Sequence, residues 1–194
     1  MTEVTDLRQR RRAFTADEIE RVAIELFAGR GFDDVTVDEI ADAAGISPRT
    51  FFRYFPTKAD VVRAHMRRLV DRLVRALEAR PADEGPVTAL REALLATSSM
   101  RAEDRERIML VGRLLAGAGD ALAFDAGRSD ELVTIVARHA ALDPSRDIRP
   151  AVVVAAMTGA AQAAFRAWVE SEGDHELATM VAEALKVLED GLDE

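Results

Sequence analysis

Four closely spaced signals for the start of a helix lie within residues 15–60, and they leave few folds open to this chain. Thr15, Thr36 and Thr57 are each followed three residues later by an acid, the pattern of a capping box. Ser47 precedes Pro48, and proline is well tolerated at the first position of a helix. The spacing predicts helices that begin near residues 16, 37, 48 and 58.

The second and third of these helices are short and a tight turn separates them. The second ends before Gly45 and the third spans 48–55, which leaves a turn of about three residues. This is the pattern of a helix-turn-helix, whose second helix enters the major groove of DNA. Phe51 and Phe55 are expected to face inward and to anchor a helix that is too short to persist alone. Other faces of this helix carry Arg49, Thr50, Arg53 and Tyr54.

Positive charge is concentrated in this part of an otherwise acidic chain. The formal net charge is −9, yet residues 49–68 hold six cations against Asp60 alone, a local net of +5. Residues 8–12, RQRRR, add four arginines. A basic patch is the footprint of phosphate binding, so double-stranded DNA is the favoured partner. A helical adaptor that uses the basic face on an acidic protein, and a helical enzyme without a recognisable motif, remain as alternatives.

The sequence contains no signal for catalysis, a cofactor or a metal. Without cysteine there can be no disulfide or thiolate site, which fits a reducing cytoplasm. His65, His139 and His175 are too far apart to form a ligand pair, and no glycine-rich phosphate loop or nucleophile motif is present. Residues 151–165 are uncharged but shorter than the roughly 20 residues that a bilayer requires. We therefore expect a cytoplasmic protein that is not an enzyme, with this stretch as a buried helix.

The remaining two-thirds of the chain is also expected to be helical. A fourth helix is predicted over 58–80, before the breaker PADEGP at 81–86. Five more helices are predicted at about 87–100, 103–116, 119–141, 150–171 and 174–191. The fold is thus all-α with about nine helices. We expect a basic and disordered arm at 1–13, a DNA-binding domain at 14–57, and a further helical domain at 58–194, with helix 58–80 linking the two.

The last two predicted helices carry surfaces that another helix could pack against. The first has a stripe of small residues, and the second has apolar residues at 3–4 spacing. The stripe either packs within the subunit or forms a dimer interface. Its members are Ala155, Ala156, Gly159, Ala160, Ala163 and Ala167, and those of the final helix are Leu177, Val181, Ala184 and Leu188.

Residues 27–62, FAGRGFDDVTVDEIADAAGISPRTFFRYFPTKADVV, resemble the TetR/AcrR family of bacterial repressors. The run RTFFRYF is similar to an actinobacterial-type subgroup of that family. The resemblance implies a three-helix DNA-binding domain, joined through a long fourth helix to a helical effector-binding and dimerisation domain. It also implies a homodimer formed by the last two helices, and release from a palindromic operator by a small effector.

Roles in DNA contact follow from the resemblance. Arg49 would read guanine through a bidentate pair, worth about 1–3 kcal/mol of discrimination. Tyr54 and Lys58 stand where the family clamps phosphates, so Lys58→Ala should weaken binding to all duplexes about equally. Phe52 stands where many members have tyrosine, and its role is open. The expected contact residues are Thr36, Ser47, Pro48, Arg49, Thr50, Arg53, Tyr54 and Lys58.

An effector pocket is expected among helices four to eight. Each apolar residue taken alone is more often ordinary core, by perhaps 3 to 1. Apolar walls with few polar groups would suit a small, largely apolar or amphipathic molecule, of which an acyl-type ligand is one example. The candidate lining residues are Met100, Met109, Leu110, Leu114, Phe124, Met157, Phe165 and Trp168.

Overall fold

A computed structural model of the chain describes residues 2–99, 105, 108–113 and 126–190, with side chains from residue 15 onward in these ranges except at 126–128. Within these residues the chain forms nine helices and no strand, which confirms the predicted all-α fold. The helices are α1 (Thr2–Arg30), α2 (Val37–Ala43), α3 (Pro48–Tyr54), α4 (Lys58–Glu78), α5 (Pro86–Ser98), α6 (108–113), α7 (Ala126–His139), α8 (Arg149–Glu170) and α9 (Leu177–Asp190).

Helix α1 begins well before its predicted start near residue 16. The backbone is helical from Thr2, so the arm that was expected to be disordered is continuous with the helix. No proline or glycine lies between Thr2 and Ala28, and nothing therefore stops the helix from extending toward the N-terminus. Glu18 is 2.6 Å from the guanidinium of Arg21, an i, i+3 pair in the helix interior. Thr15 consequently lies inside α1 and does not cap its start.

Contacts between residues divide the chain into two compact units. The first consists of Met1–Met66 with Glu106–Leu114, and the second of Arg67–Arg105 with Leu115–Glu194. The division falls inside α4, so the start of that helix belongs to the first unit and its end to the second. Each unit has its own apolar core.

The core of the first unit joins one face of α1 to the short helices. On α1 this face includes Ile19, Ala23 and Phe27, which are all buried. Burying side chains of the size of Ile19 and Phe27 contributes roughly 1.5–3 kcal/mol each relative to leaving them exposed. Other fully buried side chains of this unit include Ile24, Val35, Ile40, Phe51 and Val61.

A buried polar pair joins α1 to the start of α4. Oε1 of Glu20 and Nδ1 of His65 are 2.8 Å apart, and both residues are buried. Nε2 of His65 has no hydrogen-bond partner in the described part of the chain. The pair is stable only while both members are present, since removal of one leaves the other polar and buried.

The second unit contains the end of α4 together with α5, α7, α8 and α9. Helix α8 packs against α9, α7 and α5, and α9 also packs against α5. Trp168 is fully buried, and its indole N–H donates to the carbonyl of His175 at 2.9 Å, which fixes the turn between α8 and α9. Gly173 in that turn has a φ of 75°, which glycine adopts without a steric penalty.

Helix α8 buries only one of its faces. Val154, Met157 and Trp168 point inward, whereas the opposite face is exposed. Residues 151–165 were expected to form a buried helix, so this expectation holds for one side only. Among the described helices, α8 alone is long and apolar enough to cross a membrane by length and composition, and 33% of that stretch is buried in the protein. The exposed face includes Val152, Ala155, Ala156, Gly159, Ala163 and Ala167, and toward its C-terminal end also Gln162 and Arg166.

Candidate nucleic-acid interface

The start of α2 is fixed by the capping box that the sequence predicts. The Thr36 N–H donates to Oε2 of Glu39 at 2.8 Å, and the Glu39 N–H donates to the Thr36 hydroxyl oxygen at 3.3 Å. A guanidinium nitrogen of Arg30 lies 2.7 Å from Oε1 of Glu39. The Thr36 N–H, then its hydroxyl and then Arg30 lower the pKa of Glu39 to about 2.

A glycine turn joins α2 to α3. Gly45 has a φ of 66°, in the left-handed region that favours glycine. Its N–H donates to the carbonyl of Asp42 at 3.1 Å, and the Ile46 N–H donates to the carbonyl of Ala41 at 2.9 Å. These bonds close the end of α2 and set the direction in which α3 leaves.

Ser47 caps α3, as predicted. Its hydroxyl oxygen accepts a hydrogen bond from the Thr50 N–H at 3.2 Å, and the two hydroxyl oxygens of Ser47 and Thr50 are 3.0 Å apart. Pro48 occupies the first helical position. The helix therefore begins at a defined residue although it has only 7 residues.

Two phenylalanines hold the inner face of α3, as the sequence predicts. Phe51 is 0% exposed and Phe55 is 6% exposed. Their ring centroids are 5.8 Å apart. Burial of these rings replaces the stability that a helix of two turns lacks in isolation.

The outer face of α3 presents cations that the protein leaves unneutralised. Arg49, Phe52 and Arg53 are exposed, and their i, i+3 and i+4 spacing places them on one face. Neither arginine forms an ion pair with any residue that the structure describes, and residues 48–54 include no acid. The guanidinium carbon of Arg53 lies 5.3 Å from the ring centroid of Tyr54, which is half-buried. Two guanidinium groups are thus available to an external anion.

Lys58 has a different environment from the one expected for a phosphate ligand. Its ammonium donates to the carbonyls of Phe32 at 2.6 Å and Val35 at 3.1 Å, with a longer contact of 3.4 Å to the carbonyl of Asp33. The nitrogen also lies 4.4 Å from the ring centroid of Phe32. An ammonium has three donors, and these carbonyls occupy them. The geometry makes Lys58 a support of the turn between α1 and α2.

Two family models cover most of the chain. The model described as "Bacterial regulatory proteins, tetR family" matches residues 19–65, which include α2 and α3. The model described as "MftR C-terminal domain" matches residues 84–193, more than half of the chain. The chain belongs to the TetR family. The TetR helix-turn-helix region therefore coincides with the cationic face of α3.

Relatives along the whole chain are regulators of transcription. MftR of Mycobacterium tuberculosis, named as a mycofactocin biosynthesis transcriptional regulator, is 34% identical over 95% of this chain and 94% of its own length. TcmR of Streptomyces glaucescens, an HTH-type transcriptional regulator, is 33% identical over 84% of this chain and 76% of its own length. FadR of Thermus thermophilus, solved in complex with lauroyl-CoA, has a TM-score of 0.58 and 24% identity over 91% of this chain and 94% of FadR. At that identity the similarity to FadR is a similarity of fold only.

These comparisons decide between the classes of protein that the sequence left open. The family and both relatives are transcriptional regulators, not enzymes or adaptors. The chain is a TetR-family DNA-binding transcriptional regulator.

The cations on the first turns of α4 differ from those of α3. Arg63 lies 2.7 Å from Oδ1 of Asp60, and Asp60 also closes a capping box with Thr57. The Thr57 hydroxyl, followed by Arg63 and the Thr57 N–H, lowers the pKa of Asp60. The lone acid within residues 49–68 thus pairs with Arg63 of α4 and with neither arginine of α3.

The residues expected to line an effector pocket are distributed over both units. Met157, Phe165 and Trp168 lie on α8, with the rings of Phe165 and Trp168 stacked at 6.0 Å. Trp168 is occupied by its bond to His175, which gives it a structural role. Met109 is buried and Leu110 half-buried on α6, in the first unit. Met100, Leu114 and Phe124 lie outside the described residues.

Proposed function

We propose that this TetR-family regulator is a cytoplasmic repressor that binds a palindromic operator as a homodimer and leaves it when a small, largely apolar effector binds. The observation that carries the proposal is the outer face of α3. Its two arginines are exposed, free of ion pairs in the described part of the chain, and fixed to a helix with a defined start and a buried inner face.

The proposed DNA contacts follow from the exposure of each residue. Arg49, near the start of α3, reads a guanine, and Arg53 binds a phosphate or base edge one turn later. Pro48 and Thr50 lie beside base edges, because both stand next to Arg49 at the start of the same helix and are partly exposed. The hydroxyls of Thr36 and Ser47, at the starts of α2 and α3, and the phenol of Tyr54 lie beside phosphates.

The proposed dimer uses the exposed face of α8. Ala156 and Gly159 are exposed, and a Cβ placed on Gly159 would meet no atom within 4 Å. A face of small side chains lets a second helix approach closely and bury area that is otherwise in water. A two-fold axis would place the two α3 helices on successive turns of the major groove, about 34–36 Å apart.

Helix α9 supplies a second part of the proposed interface. Val187 is 52% exposed and Leu188 is 37% exposed near its end. Leu177 and Val181, which were expected at the interface, are buried within the second unit together with Leu185. The proposed contribution of α9 is therefore confined to the exposed residues near its C-terminal end.

The proposed effector binds in the helical domain, with residues 14–57 as the DNA-binding domain and 58–194 as the effector and dimerisation domain. Met157 and Phe165 on α8 offer apolar surface for it. Helix α4 contributes residues to both units, and it transmits the effect of effector binding to the DNA-binding domain. The effector must bind the DNA-free state better than the DNA-bound state, since equal affinity would shift nothing.

The test begins with selection of duplexes from a random library by the full-length chain. We expect an inverted repeat with half-sites 10–10.5 base pairs apart or a multiple of that spacing. Affinity should fall steeply with salt, and a random duplex should bind about 10³-fold or more less tightly than the selected one. Lauroyl-CoA should release the selected duplex, whereas CoA should not.

Each part of the proposal has its own contrary result. A chain that enriches no sequence is not an operator-binding repressor. A single half-site bound as tightly as the repeat contradicts the dimer. Release by CoA and by lauroyl-CoA at equal concentrations contradicts an apolar effector.

A further inference from the structure

Phe52 is exposed where burial would be expected of its side chain. It is 52% exposed, more than any other phenylalanine whose side chain the structure describes. A phenylalanine left in water forgoes roughly 1.5–3 kcal/mol of burial free energy. Phe52 lies on α3, and the two nearest phenylalanines in the sequence, Phe51 and Phe55, are buried. Packing of the unit therefore does not account for an apolar ring at this position.

The Phe52 ring is held in a fixed place. It meets the ring of Phe51 edge-on, with centroids 5.6 Å apart and an interplanar angle of 90°. Phe51 is fully buried and contacts Phe55 in turn. Edge-to-face pairs of this kind are favourable, so the exposed ring has a rigid support.

The charged neighbours of Phe52 indicate what covers it. Arg49 and Arg53 flank it on the outer face of α3, and all three side chains are exposed. An apolar ring on the same exposed helix face as two unneutralised guanidinium groups suits a partner that is anionic and also offers an apolar group. The major groove of DNA has that character, because base edges lie between two rows of phosphates.

We propose that Phe52 is a specificity-determining residue that reads the 5-methyl group of thymine in each half-site. A phenyl ring has no hydrogen-bond donor or acceptor, so it cannot distinguish polar base edges by pairing. The thymine methyl is the apolar group that an ordinary base pair offers in the major groove. The thymine lies beside the guanine assigned to Arg49, because the two side chains are one helical turn apart. This inference rests on the proposed operator binding.

The experiment replaces each thymine of the selected operator by deoxyuridine, which removes the methyl group alone. For the full-length chain we expect a loss of about fourfold for one half-site at one thymine position, the equivalent of about one buried methyl group. Substitution in both half-sites should cost about 15-fold. Phe52→Ala should bind the thymine and deoxyuridine duplexes equally, whereas Phe52→Leu should keep part of the discrimination.

Arg49→Ala is the matched control, since it removes a neighbouring exposed side chain and should still discriminate thymine from deoxyuridine. A thermal melt of each variant verifies that α3 is intact. The inference is overturned if no thymine methyl affects the wild-type chain, or if Phe52→Ala discriminates as well as the wild type. A chain that selects no duplex fails the proposed function itself, a result distinct from selection without methyl dependence.

Discussion

The outer faces of α3 and α8 are both exposed sides of amphipathic helices, yet they differ in every chemical respect. The outer face of α3 carries Arg49, Phe52 and Arg53, and that of α8 carries mainly small uncharged side chains around Gly159, with Arg166 toward its C-terminal end. Each inner face buries large rings, Phe51 in α3 and Trp168 in α8. The inner faces therefore serve the fold, and the contrast between the outer faces separates a surface for polyanions from a surface for another helix.

The largest expected effect comes from a substitution on the exposed small-residue face of α8. Gly159→Arg adds a long cation to α8 where the structure has open space, so the subunit itself should fold normally. We expect monomers by sedimentation velocity, and a fall in operator affinity of about 10²–10⁴ because two linked half-sites no longer bind together. Ala82→Arg, in the exposed loop before α5, adds the same charge away from this face and should remain dimeric. An unchanged dimer of Gly159→Arg would show that α8 is not the interface.

The next effect breaks the cationic face. Arg49→Ala should reduce discrimination between operator and random duplex by about 1–3 kcal/mol, because a bidentate guanine contact is lost. Titration of both duplexes at one salt concentration measures the difference. Arg146→Ala, at a position whose side chain is 86% exposed in the second unit, should leave both affinities unchanged. Equal losses on both duplexes would assign Arg49 to phosphate instead.

A third substitution separates cations that face outward from one that faces the protein. Lys58→Met keeps the aliphatic stem but removes the donors to three carbonyls, so we expect the free energy of unfolding to fall by about 2 kcal/mol. Urea denaturation measures it, with the exposed Lys186→Met as control. The slope of log affinity against log salt should not change. A slope lower by about one with unchanged stability would restore the phosphate role of Lys58.

The smallest effect concerns the cap that positions α2 before α3. The pKa of Glu39 is lowered from 4.5 to about 2, so its stabilising contribution is complete above pH 4.5 and disappears as the pH falls toward 2. Glu39→Gln should unfold with a weaker pH dependence in that window, as measured by urea titrations from pH 5 to 2.5. Asp42→Asn, an exposed control on the same helix, should follow the wild-type curve. Identical curves for Glu39→Gln and the wild type would contradict the box.

The starts of α2 and α3 could be predicted to the residue because their determinants are local. Thr36 and Ser47 find their partners three residues later, and such a pattern is visible in sequence. Thr15 has the same pattern and misleads, since a box loses its meaning where a helix runs through it without interruption. The beginning of α1 was therefore predicted too late.

Contacts between distant residues explain the rest of the differences. The carbonyls that receive Lys58 lie 23 to 26 residues before it and belong to the backbone, which has no residue-type signal. In α8 nearly every residue is apolar or small, so periodicity could not distinguish the buried face of Met157 from the exposed face of Ala156. Contrast between charged and apolar residues, which α3 has and the middle of α8 lacks, is what allows the exposed face of a helix to be recognised in the sequence.

The ammonium at the start of α4 has a mechanical consequence. Because the Lys58 ammonium donates to the carbonyl oxygens of Phe32 and Val35, the first turn of α4 and the loop leading into α2 must move together. A displacement of the beginning of α4 is therefore transmitted to the start of α2 through backbone atoms. Substitution of side chains in that loop would leave these hydrogen bonds in place. Substitution of Lys58 itself would remove these hydrogen bonds and uncouple the two segments.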